Sequence, residues 1–314
     1  MILLTGGSGF IGSNLLEKLN KIGRTDVIVV DNINSKEKSN NLSGLNYSYN
    51  INKNYLWKWI QENQPELSLI IHLGACTDTT ELDKKYLKNN NIDYSKRLFE
   101  IAVKSNIPFI YASSAATYGD GSNGFSDKHS KLNNLEPLNE YGRSKHYFDR
   151  WLIIQKNKPK HWVGLKFFNV YGPNEKHKKD MASAVFKFIK KAKKNNLIKI
   201  FEGSHGYSKG EQKRDFIFVD DVIEIIMWFS FSKIKNGIYN VGTGNTTTFN
   251  NIAKCISRIK KDVNIIHIDF PNHLYDIYQA YTKADIKKLK SSGFKHNFIS
   301  IDRGIKKMIE IYFD

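Results

Sequence analysis

Cysteine is scarce in this chain of 314 residues: there are two, Cys76 and Cys255, far apart in sequence. Two such distant thiols offer no disulfide framework, which sets aside a small secreted scaffold and fits a reducing cytosol. Long apolar runs are lacking too. The longest, Val222 to Phe231, contains Glu224 and falls well short of the ~20 apolar residues that a membrane span needs. It reads as a core helix, and no membrane partner is expected. No charged stretch followed by an apolar one opens the chain, so no secretion signal is expected. Met1 runs straight into Ile2-Leu3-Leu4, which reads as a buried strand. There is no internal repeat, no linker and no low-complexity segment, and no metal-ligating set is expected.

Acidic residues are also few, 31 against 48 basic ones, leaving a net charge of +17. Such an excess raises nucleic-acid binding as a possibility. The distribution argues against it. The lysines are spread over the whole chain among many asparagines, and the densest cluster, Lys187 to Lys194, alternates with apolar residues at helical spacing, as on an amphipathic helix. No nucleic-acid partner is expected, although the charge suits attraction of an anionic substrate.

What is present is an alternation of strand and helix signals. Ile2 to Thr5 reads as a strand, and Phe10 to Asn20 as a helix with Ile11, Leu15, Leu16 and Leu19 on one face. Val27 to Val30 reads as a strand, Trp57 to Gln61 as the end of a helix, Leu67 to His72 as a strand. A helix from about Tyr86 to Ser105 is ended by Asn106 and Pro108, and Pro108 to Ala112 is the next strand. Strands joined by helices must run parallel, and all-apolar strands suit a sheet covered on both faces. After about residue 172 the rhythm loosens, and Arg214 to Asn240 looks like one more α/β unit returning to the sheet. The expected fold is α/β: a doubly wound parallel sheet of the Rossmann type, formed by residues 1–172 plus about 214–240, with a smaller C-terminal substrate-binding lobe from 173–213 plus 241–314.

The first strand leads into Thr5-Gly6-Gly7-Ser8-Gly9-Phe10-Ile11-Gly12. Gly6 permits a tight turn, Gly9 lets the backbone approach a pyrophosphate, and Gly12 lets helix and strand pack closely. The pyrophosphate would sit at a helix N-terminus, where free N–H groups and the dipole favour anions. Asp31 ends the second strand at the offset expected of a ribose-binding acid. A carboxylate there favours NAD because it repels a 2′-phosphate. However, Asn32, Lys36, Lys38 and Lys53 occupy the region where such a phosphate would sit, and a lysine could offset the repulsion. The residues themselves leave NAD and NADP both open.

Tyr141-Gly142-Arg143-Ser144-Lys145 places a phenol and an ammonium four residues apart, on one helix face. A neighbouring ammonium and an oxidised nicotinamide would both favour the phenolate, turning a poor base into a usable one. Ser114 lies just past a strand end, where open parallel sheets place ligands, and can hydrogen-bond the substrate oxygen.

Glycine turn, serine segment and Tyr141/Lys145 pair together resemble the extended short-chain dehydrogenase/reductases. Closer similarity is to the nucleotide-sugar epimerases among them that act at C6″ of an ADP-linked heptose. It is carried by Ile71 to Cys76 with Thr79-Thr80-Glu81, Tyr111 to Gly119, Phe168 to Pro173, His177-Lys178 with Met181-Ala182-Ser183, Phe201 to Ser204, Lys213 to Phe216, Val241 to Gly244 and Tyr278-Gln279-Ala280. The resemblance spans nearly the whole chain. It implies a cytoplasmic, self-associating enzyme with bound NADP and a nucleotide-diphosphate sugar, ADP-heptose, as substrate in the making of lipopolysaccharide heptose. The implied cofactor contacts are Gly6, Gly9, Phe10, Ile11, Gly12, Asp31, Asn32, Lys38, Lys53, Leu73, Gly74, Ala75, Cys76, Thr77, Asn90, Lys145, Val170 and Lys178. The implied catalytic groups are Tyr141 and Lys178, as a pair of acid–base residues, with Ser114 and Lys145. The implied substrate contacts are Asn169, Asp180, Lys187, Phe201, Glu202, Gly203, Ser204, Arg214 and Tyr278.

Three departures stand out. Asp180 stands where the family pattern has a serine, Lys187 where it has a histidine, and roughly five extra residues occur around Tyr207 to Gln212. Asp180 would repel a diphosphate unless Lys178, Lys179 or Lys187 compensates. Two other readings compete. A 4-epimerase or dehydratase of a UDP-, GDP- or dTDP-hexose would share Ser114, Tyr141 and Lys145, although a dehydratase needs an acid where Ala115 and Ala116 stand. A non-catalytic dinucleotide-sensing module would be expected to have lost the tyrosine or the lysine.

Overall fold

The structure is a computed structural model that describes residues 1–232 and 234–313. Seven strands form its central sheet: Ile2–Thr5 (β1), Val27–Asp31 (β2), Tyr49–Asn52 (β3), Leu69–His72 (β4), Phe109–Ser114 (β5), Trp162–Phe167 (β6) and Gly237–Val241 (β7). Their order is β7-β6-β5-β4-β1-β2-β3, and every pairing is parallel. Chain order reverses beside β1, which pairs with both β2 and β4 (Ile2 opposite Val27 on one side and Leu69 on the other). Such a reversal opens a crevice beyond the carboxyl ends of the strands, where this architecture takes ligands.

The inner strands are mostly apolar because both faces are covered, whereas the edge strand β3 is polar and buries only Ile51. Val27 and Val29 join Leu15, Leu16 and Leu19 of helix α1 (Phe10–Lys21) in one core. Ile28 and Val30 point the other way, to a core with Leu98 and Phe99 of helix α2 (Tyr94–Lys104) and Phe148 and Leu152 of helix α3 (Glu140–Ile154). Each fully buried Leu, Ile or Val contributes about 1.5–3 kcal/mol, so the two-sided sheet is the rigid part of the molecule. Further along, helix α4 (Ala184–Asn195) carries the lysine cluster on its outer face while Val185, Phe186, Ile189 and Ala192 are buried. Helix α5 (Val219–Phe231) lies against α1 through Val222, Ile223 and Ile226 and delivers the chain to β7. Helices α6 (Phe249–Ile259) and α7 (Ile301–Phe313) pack with α4 and with the paired strands Leu197–Phe201 and Asn264–Ile268 in a third core. Among the described residues no helix is long and apolar enough to cross a membrane.

One expected helix has a different interior. The run from Lys84 is α-helical to Leu87, widens to a π-helical stretch over Lys88–Asp93, and becomes regular again as α2. Asparagine amides compete with the helix backbone. Here the Asn91 side chain accepts from the Cys76 N–H at 2.8 Å and donates to the Cys76 carbonyl and the Ser144 hydroxyl, each at 3.0 Å. These three tertiary bonds hold open a turn that helical periodicity alone could not reveal.

Candidate active site

The turn after β1 is shaped by close backbone approach. Gly6 has φ +71°, and a Cβ on it would lie 2.7 Å from the Gly74 nitrogen, so no other residue fits where β1 and β4 release their chains. Helix α1 starts here at Gly9 with no side chain capping it and no acid in its first turn. An uncapped helix start facing a ligand crevice is a built anion site. Phe10 is buried and Ile11 and Gly9 half-buried around it.

Asp31, at the end of β2, is pinned. Its Oδ2 accepts from Ser8 N–H at 3.1 Å, and its Oδ1 accepts from Asn32 N–H at 2.7 Å and from Lys38 Nζ at 2.6 Å. Lys38 also donates to the Asn32 carbonyl. Lys53 donates to the Asn90 side chain in the widened turn. Burial holds its ammonium below the ordinary lysine value, Lys38 adds repulsion and Asp31 offsets part of it. Two ammonium groups thus sense each other beside one carboxylate. The loop after β4 runs through half-buried Leu73, Gly74, Ala75 and Cys76 to exposed Thr77. Leu73 N–H bonds the Thr5 carbonyl at 3.1 Å and Gly74 N–H the Thr5 hydroxyl at 3.1 Å, which fastens this loop to the glycine turn.

Tyr141, Lys145 and Ser114 gather at the end of β5. Asn139 caps α3 by accepting from Gly142 N–H at 2.8 Å. A Cβ on Gly142 would come within 2.8 Å of the Ala116 carbonyl, so the glycine lets the helix lie against the serine segment. Ser114 accepts from Ala116 N–H at 3.1 Å. Burial pushes the Tyr141 phenol up to about 12, and the neighbouring Ser114 hydroxyl eases that rise. Lys145 donates to the Ala112 carbonyl at 2.9 Å, and burial pushes its ammonium down to about 8. The phenol is therefore tuned by burial and Ser114, while Lys145 is anchored on the strand. Asp149, one turn further along α3, accepts from Tyr111 OH at 2.9 Å, Ser113 Oγ at 2.7 Å and Lys166 Nζ at 2.6 Å, with Asp149 and Lys166 both fully buried. This knot fixes α3 to β5 and β6.

Lys178 reaches the start of α1. It lies on the irregular segment Lys176–Met181, where Lys179 has φ +47°. Its Nζ sits 5.3 Å above the centre of the Phe10 ring and 3.9 Å from the Glu175 carboxylate. Burial lowers its pKa, against Glu175. Val170 lies half-buried on the strand Asn169–Tyr171, which pairs in parallel with Phe216–Phe218.

A second group forms around Arg214. Its guanidinium lies 4.8 Å from the Tyr278 ring centre and donates to Asn169 Oδ1 at 3.3 Å, and its buried Nε has no hydrogen-bond partner among the described residues. Asn169 Nδ2 donates to Thr282 Oγ1 at 2.9 Å. Beneath, the buried Asp215 accepts from Thr243 N–H and Oγ, Gly244 N–H and Ala284 N–H. Gln279 donates to the Ala115 and Gly119 carbonyls, tying the Tyr278 segment to the serine segment.

The extra residues before Arg214 fold back on the run from Phe201 to Ser204. Gly210 N–H bonds the Phe201 carbonyl, and Gln212 Nε2 donates to the Glu202 carbonyl and the buried Ser204 hydroxyl. The Gly203 backbone is pressed on Tyr207, with no room for a Cβ. Phe201 and Tyr278 both pack on Phe270, and His205 stacks on Tyr275 at 4.3 Å. Glu202 is paired outward with Lys209 at 2.7 Å. Asp180 and Lys187 are exposed together, Lys187 Nζ donating to the Asp180 carbonyl at 3.2 Å. Lys187 thus meets Asp180 at its backbone carbonyl rather than at its carboxylate.

Sequence reasoning overlooked the supports: Asn91, Asp149, Lys166, Glu175 and Thr282. Only Asn91 left a trace, as part of an asparagine run in the middle of a helix.

The uncapped helix over a glycine bend, flanked by a phenol and an ammonium four residues apart, is the arrangement of a protein that works with a nicotinamide dinucleotide. The chain belongs to the NAD dependent epimerase/dehydratase family, whose model matches residues 2–242. It is 41% identical to the ADP-L-glycero-D-manno-heptose-6-epimerase of Fusobacterium nucleatum, over 99% of this chain and 98% of that one. Among solved structures it is similar to the ADP-L-glycero-D-manno-heptose-6-epimerase of Helicobacter pylori, with a TM-score of 0.85 and 29% identity over 99% of this chain and 95% of that one. A UDP-N-acetylglucosamine 4-epimerase from Methanobrevibacter ruminantium also reaches a TM-score of 0.85, at 26% identity over 99% and 97% of the two chains.

Proposed function

We propose that this chain is a nucleotide-sugar epimerase that inverts C6″ of ADP-D-glycero-D-manno-heptose to give the L-glycero epimer. The observation that carries this reading is the full-length identity of 41% to a 6-epimerase of that name, together with an intact Ser114, Tyr141 and Lys145 constellation. The 4-epimerase reading has less support, since the 4-epimerase with the same TM-score is 26% identical.

The residues suit the work. The dinucleotide, when bound, supplies a reversible hydride acceptor, which turns the C6″ alcohol into an aldehyde whose two faces exchange by rotation about C5″–C6″. The Gly6 to Gly12 turn and the start of α1 hold the diphosphate. Ser114 holds the reacting oxygen by a hydrogen bond. Tyr141 and Lys178 act as two acid–base groups, one taking the hydroxyl proton and the other returning a proton after the face exchange. Lys145, anchored on the Ala112 carbonyl, holds the Tyr141 side of the site. Arg214, Asn169, Tyr278 and the Phe201 to Ser204 run, with Lys187 over Asp180, bind the nucleotide diphosphate. In this reading residues 1–172 with about 214–240 carry the dinucleotide, and 173–213 with 241–314 the sugar nucleotide.

NADP is the dinucleotide of this reading. Lys38 neutralises Asp31 at 2.6 Å and shares its surroundings with Lys53, so a 2′-phosphate would meet two cations rather than one bare carboxylate. The protein acts in a reducing compartment, the cytoplasm, with both thiols free. It self-associates, in keeping with exposed Leu82, Tyr147 and Ile154; light scattering on the purified protein tests that.

The deciding experiment incubates the enzyme with ADP-D-glycero-D-manno-heptose, UDP-glucose and UDP-N-acetylglucosamine and follows the products by NMR. Inversion at C6″ of the ADP-heptose alone is expected. Inversion at C4″ of a UDP-sugar with the heptose untouched would overturn the reading. The mass of nucleotide released on denaturation shows whether a 2′-phosphate is present.

A further inference from the structure

Glu175 has no exposed surface although it sits on the irregular chain between the strand Asn169–Tyr171 and helix α4. Nothing in the proposed reaction uses it. Every polar neighbour that reaches its carboxylate is a donor. Gly172 N–H bonds Oε1 at 3.2 Å, Ser183 N–H bonds Oε2 at 2.6 Å, and the Ser183 hydroxyl lies 2.7 Å from Oε1. The Ser183 oxygen meanwhile accepts from Phe186 N–H at 3.1 Å as the cap of α4, so its proton points at Glu175. With Lys178 Nζ at 3.9 Å, the surroundings match an ionised, acceptor-only carboxylate. Lys178 N–H also bonds the Glu175 carbonyl at 2.9 Å, and the left-handed Lys179 turns the chain immediately afterwards.

We propose that Glu175 is the positioning residue for Lys178: its carboxylate ties Gly172 to Ser183, closing the intervening loop into a ring, and holds the Lys178 ammonium over the start of α1 with its charge balanced. The proposal rests on the reading of Lys178 as an acid–base group. A lysine in such a place must be able both to hold and to release a proton. Burial lowers the proton affinity of Lys178, and Glu175 restrains that. Burial in turn raises the Glu175 pKa, against Lys178 and the Ser183 and Gly172 donors. The other titratable groups around the pair are few. Lys187 on α4 repels Lys178. His177, on the same segment, is held down to about 4 by burial, Lys38 and Lys178, so it adds no charge at neutral pH. Tyr312 of α7 faces Glu175 as a neutral phenol, its pKa raised by burial. Phe10 supplies only its ring face. Glu175 is therefore the one carboxylate acting directly on Lys178 among the described residues.

The test measures the proton affinity of Lys178 directly, by competitive acetylation of the whole protein across pH with peptide mass spectrometry. In Glu175→Gln the labelling midpoint of Lys178 should fall by roughly 1 pH unit, and the limb of the pH–rate profile that belongs to Lys178 should fall with it. Glu175→Asp, which keeps the charge, should recover most of the shift. An unchanged midpoint in a folded Glu175→Gln protein would overturn the proposal. A midpoint that falls while neither limb of the pH–rate profile moves upholds the Glu175–Lys178 link and overturns the acid–base role of Lys178. If Glu175→Gln does not fold, Ser183→Ala provides the opposite displacement. A carboxylate that has lost a donor acts more strongly on Lys178, and the midpoint should rise by roughly half a unit; no rise would equally refute the proposal.

Discussion

The two sides of the site meet at Phe10 and are built on different plans. On one side, Gly6, Asp31, Ser114, Tyr141 and Lys145 stand at strand ends or in the first two turns of a helix, and the sheet behind them is apolar on both faces. On the other, Lys178, Asp180, Phe201 to Ser204 and Tyr278 stand on short irregular segments held by tertiary hydrogen bonds. The first plan suits a partner that never changes, the dinucleotide. The second places the residues proposed to recognise a sugar nucleotide on backbone that can differ between relatives without disturbing the sheet.

The severest test of that division removes one acid–base group from each side. Tyr141→Phe with Lys178→Met should lower turnover by roughly 10⁴-fold or more, while bound dinucleotide, read by absorbance, is retained. Substantial residual epimerisation would break the two-base scheme. Next, Arg214→Met should raise KM for the sugar nucleotide by roughly 10–100-fold through loss of a charged donor. Dinucleotide affinity should stay as it was, and an equal loss there would erase the distinction between the two sides. Within the dinucleotide side, Lys38→Ala should cut the preference for NADP over NAD by about tenfold, or ~1.4 kcal/mol, by exposing the Asp31 charge. Paired titrations of the two dinucleotides measure it.

The smallest effect concerns stability. Lys145 has a pKa of about 8 when folded, against an ordinary 10.5. Between those values the unfolded chain carries a proton that the folded chain lacks, so stability should rise with pH across that window, and burial costs most below pH 8. Lys145→Met should therefore melt higher than the parent by roughly 2–5 °C at pH 7.5 in the dinucleotide-free protein, with a flatter dependence between pH 8 and 10. Parallel pH dependences for the two proteins would show that Lys145 stores no such cost.

Legibility in the sequence follows the same division. The glycine bend, Asp31, Ser114 and the Tyr141/Lys145 pair obey local rules: turn geometry, strand ends, the four-residue helical step. The alternation of apolar strands and helices likewise announced a parallel sheet. Their supports obey no local rule. Asp149 on α3 meets Lys166 of β6, Asn91 meets Cys76 and Ser144, and Glu175 meets Ser183, each by closure of a tertiary loop. Arg214 and Tyr278 were reached by resemblance alone, since a guanidinium over a ring leaves no periodic mark in the chain. The widened turn at Lys88–Asp93 was read as plain helix for the same reason.

That widened turn has a consequence for chain length. A π-helical turn holds one residue more than the α-helical turn it replaces. Deleting a single asparagine from Asn89 to Asn91 would let the run close into ordinary helix, but each residue of such a helix advances the chain by about 100° around the axis. Everything ahead of the deletion would swing by that angle relative to α2. Lys53 would lose Asn90, and the loop at Cys76 would lose its grip on Ser144. In this segment the number of residues matters as much as their identity, and an alignment that placed a gap there would be describing a different crevice.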